Sequence, residues 1–148
     1  MHANEMAEDF PVVAAESDAW DAVTQMAEAR LPGLVVTNAA GKPVSVLPAS
    51  QVVLILVPSY VQDDPSLAGV LPERMCDRVA DKLRGKTVQA LVPDDAPEPA
   101  IVNADDTIVE VAAVMARLRS PLAAVMDGDK LVGVITASRL LQLALTPR

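Results

Sequence analysis

With 148 residues, the chain has room for one ordinary domain or two small half-domains. Its 51% hydrophobic and 22% charged residues supply the apolar content that disordered chains lack. The 2% of aromatics (Phe10, Trp20, Tyr60) leaves the core to aliphatic side chains and denies single-stranded nucleic acid its stacking platforms. Twelve Lys and Arg against twenty Asp and Glu set a formal charge of −8, whose field repels phosphate backbones and acidic membrane surfaces and argues against both as partners.

In chain order, Met1 to Phe10 is acidic, lacks the apolar stretch of a secretory signal, and is expected to fray, leaving His2 without a chemical partner. Ala19, Ala22, Val23, Met26 and Ala29 recur at helical spacing. Asp18 and Asp21 hold the N-cap and N3 positions, so a helix is predicted to start near residue 18. A strand over Leu34 to Thr37, a turn through Asn38 to Gly41 and a strand over Val44 to Leu47 follow. The apolar run Val52 to Val57 has the composition of a buried strand, ends at Pro58 and falls far short of the roughly twenty residues of a membrane helix.

A connector opens with the loop Ser59 to Pro65. Leu67, Leu71, Met75, Val79 and Leu83 then recur every fourth residue up to Arg84-Gly85-Lys86, which predicts one amphipathic helix, divided or started by Pro72. Thr87 to Val92 leads onward, and Pro93 to Pro99 reads as a solvated, extended loop. Ile108, Val111, Ala112, Met115 and Leu118 form a second helical stripe behind a Thr107/Glu110 capping box. Leu122 to Met126, the turn Asp127-Gly128-Asp129 and Leu131 to Thr136 read as a hairpin, and a helix runs from Ala137 through Leu145.

These elements occur twice. An offset of 89 places Val12-Val13 on Ile101-Val102, Met26 on Met115, Arg30 on Arg119 and Pro32 on Pro121; after one extra residue near Ala40 an offset of 88 places Val46 on Val134 and Ala49-Ser50 on Ala137-Ser138. The repeat also resolves the run Val52 to Val57: its partner is the Leu-rich segment Leu140 to Leu145, so both are predicted helices. Helices so apolar must be covered on several sides, by the other copy or by a second subunit, and a homodimer is expected. The boundaries read as 10–57 for the first copy, 58–93 for the connector and 94–146 for the second copy.

A duplicated β-α-β-β-α unit whose last strand and helix run Leu131-Val-Gly-Val-Ile-Thr136-Ala-Ser-Arg-Leu-Leu141 resembles the cystathionine-beta-synthase-type (CBS) domain family, from about Phe10 to Leu145. The resemblance implies an α+β fold of two repeats packed about a pseudo-twofold axis and joined by a helical connector. It also implies a regulatory module that binds AMP, ADP, ATP or S-adenosylmethionine between the copies and signals to a partner protein. By the same resemblance, ligand contacts fall on Val102, Pro121, Gly133, Thr136, Ser138 and Arg139, and on Ser50 and Gln51 in the first copy. The chain departs from the family pattern where a carboxylate holds the ribose: Arg139 and Gln51 stand there, and Pro48 replaces the phosphate-binding Thr of the first copy. Arg139 can clamp a phosphate or pair with an acidic neighbour such as Asp105 or Asp106. The alternative function is a dimerisation or docking module with a degenerate pocket.

Other residues carry plainer readings. Thr136 and Ser138 can also be helix caps, Arg30 and Arg119 suit helix C-termini, and Asp63-Asp64 reads as a cap before Pro65 rather than a metal site. Cys76 reads as a packing residue and Trp20 as helical core. A lone cysteine with a lone histidine cannot assemble a zinc site, and it fits a reducing, cytoplasmic compartment. Without a nucleophile paired to a base or a Gly-rich phosphate loop, the chain is not expected to be an enzyme.

Overall fold

The computed structural model describes residues 1–76 and 78–146. In chain order it contains α1 (Ala3–Met6), β1 (Val12–Ala14), α2 (Ala19–Glu28), β2 (Gly33–Thr37), β3 (Pro43–Pro48) and α3 (Ala49–Leu56). The connector holds α4 (Ser59–Asp63), α5 (Glu73–Cys76) and α6 (Val88–Leu91). The second copy is β4 (Ile101–Asn103), α7 (Ile108–Leu118), β5 (Leu122–Asp127), β6 (Lys130–Thr136) and α8 (Ala137–Leu145).

Each copy builds one three-stranded sheet, in the order β1-β2-β3 or β4-β5-β6, its middle strand parallel to the first and antiparallel to the third. The registers match through the repeat offset: Val13 faces Val36 as Val102 faces Val125, and both hairpins slip at the same place, Val36/Thr37 and Val125/Met126. The expected helix starts are present. Asp18 Oδ2 accepts from the Asp21 N–H at 3.0 Å, and Thr107 and Glu110 form a reciprocal capping box. Val52 to Leu56 is helical despite its β-propensity, because the helix buries Val52 in the first core while the partner segment does the same with Leu140.

All five residues of β2 and the first five of β5 are buried. Each middle strand is covered on one face by its own helices. On the other face Val35, Leu122, Ala124 and Val134, flanked by Phe10, Val46 and Leu131, form a shared layer that joins the two sheets. The fold is therefore α+β, two β-α-β-β-α copies packed sheet to sheet about a pseudo-twofold axis.

The N-terminus is not frayed. Ala3 and Met6 are fully buried in the second copy's core beside Val102, Val111, Met115 and Ile135. Val88 and Leu91 of α6 fill the equivalent place in the first copy's core. The hydrogen bonds correspond: Ala3 N–H to Asp106 O at 2.8 Å answers Val88 N–H to Ser17 O at 2.9 Å, and Asn4 N–H to Ala104 O at 2.9 Å answers Gln89 N–H to Ala15 O at 3.0 Å. Each copy thus lends its leading turn to the other. Within α1, the His2 N–H donates to Glu5 Oε1 at 3.0 Å and holds that carboxyl below its ordinary pKa.

The connector corrects the expectation of one amphipathic helix. Its described residues form α4, a 3₁₀ turn over Pro65–Val70, the short α5 and a second 3₁₀ turn over Val79–Leu83. A four-residue spacing advances about 40° per step around an α-helix, so five such positions wander over most of a half-turn and make no single stripe. Pro72 breaks the hydrogen-bond ladder as well. Leu83 alone of the expected stripe is buried among the described residues; the side chains of Met75 and Cys76 lie outside them. No described helix is long and apolar enough to cross a membrane. On α3 and α8, Val53, Leu54, Leu141 and Leu145 are exposed.

Candidate functional site

The packing places the strand-to-helix junction of the first copy opposite the helix-to-strand junction of the second, which creates a cleft, and the repeat assigns a counterpart position, the second cleft, to the β6–α8 junction. The first is open. Val46 and Pro48 of β3 and Ser50 and Gln51 of α3 form one wall; Leu118, Arg119, Ser120 and Pro121 form the other; Pro93, Ala96, Pro97 and Glu98 roof a volume of about 150 Å³.

The electrostatics of this cleft follow from its backbone. Pro48 is the N-cap of α3 and provides no side-chain cap, so the first turn of a helix meets the cleft without one. N–H groups and the positive end of the helix dipole favour an anion there. Arg119, across the cleft, ends α7 in a left-handed conformation (φ 49°), as Arg30 (φ 55°) ends α2. That conformation costs a non-glycine residue about 1 kcal/mol or more. The roof's carboxylate is already engaged: Glu98 Oε1 accepts from Arg117 Nη1 at 2.9 Å.

At the counterpart position in the second copy the side chains are engaged differently. Thr136 Oγ1 caps α8 by accepting from the Arg139 N–H at 3.0 Å, and lies 3.2 Å from Ser138 Oγ. Arg139 pairs with neither Asp105 nor Asp106. Its Nε lies 3.7 Å from Glu8 Oε1, and its Nη1 is 3.4 Å from Gln142 Oε1. Glu8 is bonded to the free edge of β6 in both directions, its N–H to Val134 O at 2.9 Å and Val134 N–H to its carbonyl at 3.1 Å.

Of the expected site residues, Ser50, Gln51 and Pro121 meet in the first cleft, while Gly133, Thr136, Ser138 and Arg139 lie together around the second. Val102 sits in the second copy's core and is not among the residues lining the first cleft. Sequence reasoning missed Arg119 as a wall residue and residues 93–98 as a roof. The available signal was spacing: five residues separate Met6 from Val12, and nine separate Leu91 from Ile101. Among the described residues no group of three or more His, Cys, Asp or Glu can hold a metal ion, and Asp64 instead caps a turn, accepting from Ser66 N–H and Oγ. Trp20 lies under the Arg84 guanidinium, 4.1 Å from its ring centroid.

The CBS-domain family model matches residues 79–145. No curated protein matches the chain in sequence. Among solved structures, a CBS-domain-containing protein of unknown function from Kribbella flavida is 58% identical, covers 99% of both chains and superposes with a TM-score of 0.87. The CBS-pair protein CBSX2 from Arabidopsis thaliana is 20% identical over 97% of this chain and 94% of its own, with a TM-score of 0.73. CBSX2 in complex with AMP is 20% identical, covers 97% of this chain and 96% of its own, and has a TM-score of 0.67. These last two share the fold. With a full-length relative at 58% identity and two copies whose strand registers correspond, this chain belongs to the CBS-domain family and carries the domain as a tandem pair.

Proposed function

We propose that the chain is a small cytoplasmic regulatory module whose first cleft takes an adenosine-type ligand such as AMP, ADP, ATP or S-adenosylmethionine, and whose occupancy is read by a partner protein. The observation that carries this reading is the N-terminus of α3, which has no side-chain cap and whose Ala49 N–H alone is tied, to Pro32 O at 2.9 Å, with Ser50 and Gln51 in its first turn facing Arg119 across the cleft. A phosphate is served there by backbone N–H groups and a guanidinium in place of the hydroxyl that Pro48 removes. CBSX2, a fold relative, is known in complex with AMP.

The cleft's 150 Å³ is below the roughly 300–1,000 Å³ of small-molecule sites, so a nucleotide enters with the 93–98 roof displaced. That loop is held by turns and a single surface ion pair, and it supplies the movement a partner would read. A melting panel of AMP, ADP, ATP, S-adenosylmethionine and NAD tests the reading. At a hundredfold excess over Kd, a native-state ligand adds about 2.7 kcal/mol and raises Tm by several degrees. Arg119→Ala should abolish most of the shift produced by a phosphate-bearing ligand. No response to any compound at millimolar concentration overturns the reading in favour of a docking module.

The exposed Val53, Leu54, Leu141 and Leu145 on α3 and α8 support self-association as a homodimer, in the sensor and docking readings alike. Sedimentation is expected to give twice the chain mass, and Leu141→Glu to return it to the monomer; a monomer for the unaltered chain at tens of micromolar rejects the dimer.

A further inference from the structure

The two positions are made from repeated sequence, yet the first keeps a cavity beneath an arching loop, whereas at the second the equivalent residues are hydrogen-bonded to the strand edge. We infer that residues 7–9 form an intrachain strap that holds the second cleft shut, its Glu8 carboxylate standing against Arg139 where a ligand phosphate would lie. The chain then binds one nucleotide, in the first cleft, until the strap lifts. The inference rests on the reading of the clefts as nucleotide sites.

Three features of the chain produce the asymmetry. Glu8 corresponds through the repeat to Pro97, which has no N–H to donate to the edge of β3. Gly133, across from the strap, corresponds to Ser45. A Cβ at Gly133 would lie 2.9 Å from both Glu8 O and Ala7 Cβ, so the strap lies flat on β6 because residue 133 has no side chain, whereas Ser45 carries a Cβ at the corresponding place on β3. The four additional residues between α6 and β4 let the 93–98 loop arch over the first cleft instead of lying along the edge.

The cover is weakly held. Only two backbone hydrogen bonds fix Glu8 to β6, and its ion pair with Arg139 is long and half-exposed on the Glu8 side. Arg139 Nε is itself buried without a hydrogen-bond partner. A phosphate that offered it a short hydrogen bond would compete directly with the strap carboxylate. Strap closure and ligand binding in the second cleft are therefore mutually exclusive, so the second affinity is reduced by the fraction of chains that are open.

The test counts AMP equivalents by calorimetry on the full chain and on two variants that import the first copy's residues, Glu8→Pro and Gly133→Ser. One acts on the strap and the other on the surface beneath it. One equivalent for the unaltered chain, two for either folded variant, and loss of the second on adding Arg139→Ala is the expected result. Two equivalents for the unaltered chain overturn the strap and leave the nucleotide reading intact; no gain in a folded variant also overturns it. If the unaltered chain binds none while a variant binds one through Arg139, the strap stands and the first-cleft reading falls. If nothing binds to any of them, both fall. Should neither variant fold, the Val134 amide in the unaltered chain decides: exchange that is slow without AMP and stays slow when AMP fills the first cleft is expected, and exchange already fast without AMP overturns the strap.

Discussion

Met6→Ala is expected to destabilise the protein by about 2–5 kcal/mol, although the residue lies six positions from the start of the sequence. The Met6 side chain is fully buried between β4, α7 and β6, and alanine would leave a cavity that a rigid sheet and a capped helix cannot collapse. At about 2–4 °C per kcal/mol for a chain of this size, a 3 kcal/mol loss lowers Tm by roughly 6–12 °C. Leu91→Ala, in the leading turn that enters the other core, should cost a similar amount, whereas Met1→Ala, at an exposed position, should change stability by less than about 0.5 kcal/mol. Urea denaturation of the three variants checks this. A Met6→Ala curve that overlays the unaltered protein would show that the N-terminal turn is not part of the second core.

Gly33→Ala should be nearly as damaging, by about 1–3 kcal/mol, and should also weaken the response to AMP. A Cβ at Gly33 would lie 2.8 Å from Leu47 O and 3.2 Å from Pro48 Cα. Both neighbours are backbone, so neither can swing aside, and the β2–β3 pair must separate at its end. Pro48 is a wall of the first cleft and the N-cap of α3, so that separation moves the site as well as the sheet. Gly69→Ala serves as the control, because a Cβ there meets nothing within 4 Å. Melting temperatures of both variants, alone and with AMP, distinguish a packing defect from a cleft defect. A Gly33→Ala protein with unaltered stability would refute the close approach.

Much of the architecture could be read without coordinates because the repeat states each element twice. The caps at Asp18 and Thr107, the hairpins on either side of Gly41 and Gly128, and the helical reading of Val52 to Leu56 all rest on residues whose partners one repeat away say the same thing. The connector has no second copy to consult, and the leading turns are too short to announce theirs. Leu67 to Leu83 kept a four-residue spacing that no straight helix presents on one face, and the connector folded as separate short turns. Ala3–Met6 is a single turn, too short to show a periodicity, and its burial depends on a core contributed by residues a hundred positions away.

The candidate site divides in the same way. The strand-to-helix junctions at Pro48 and Thr136 are legible in nearest-neighbour propensities and caps, while the choice of Ser50, Gln51, Thr136, Ser138 and Arg139 as site residues follows from the family resemblance. Which junction faces solvent and which is sealed is a matter of long-range chain path: Arg119 reaches the first cleft from the opposite copy, and Glu8 reaches Arg139 across more than a hundred residues of sequence. Repetition and local propensity therefore determined the copies, their strands and most of their helices, because those depend on backbone hydrogen bonding and on apolar spacing within a few residues. Only the tertiary structure decided the exchanged leading turns, the roofed first cleft and the strapped second one, because a missing N–H at Pro97 and a missing Cβ at Gly133 acquire their meaning from which segment comes to lie beside each strand edge.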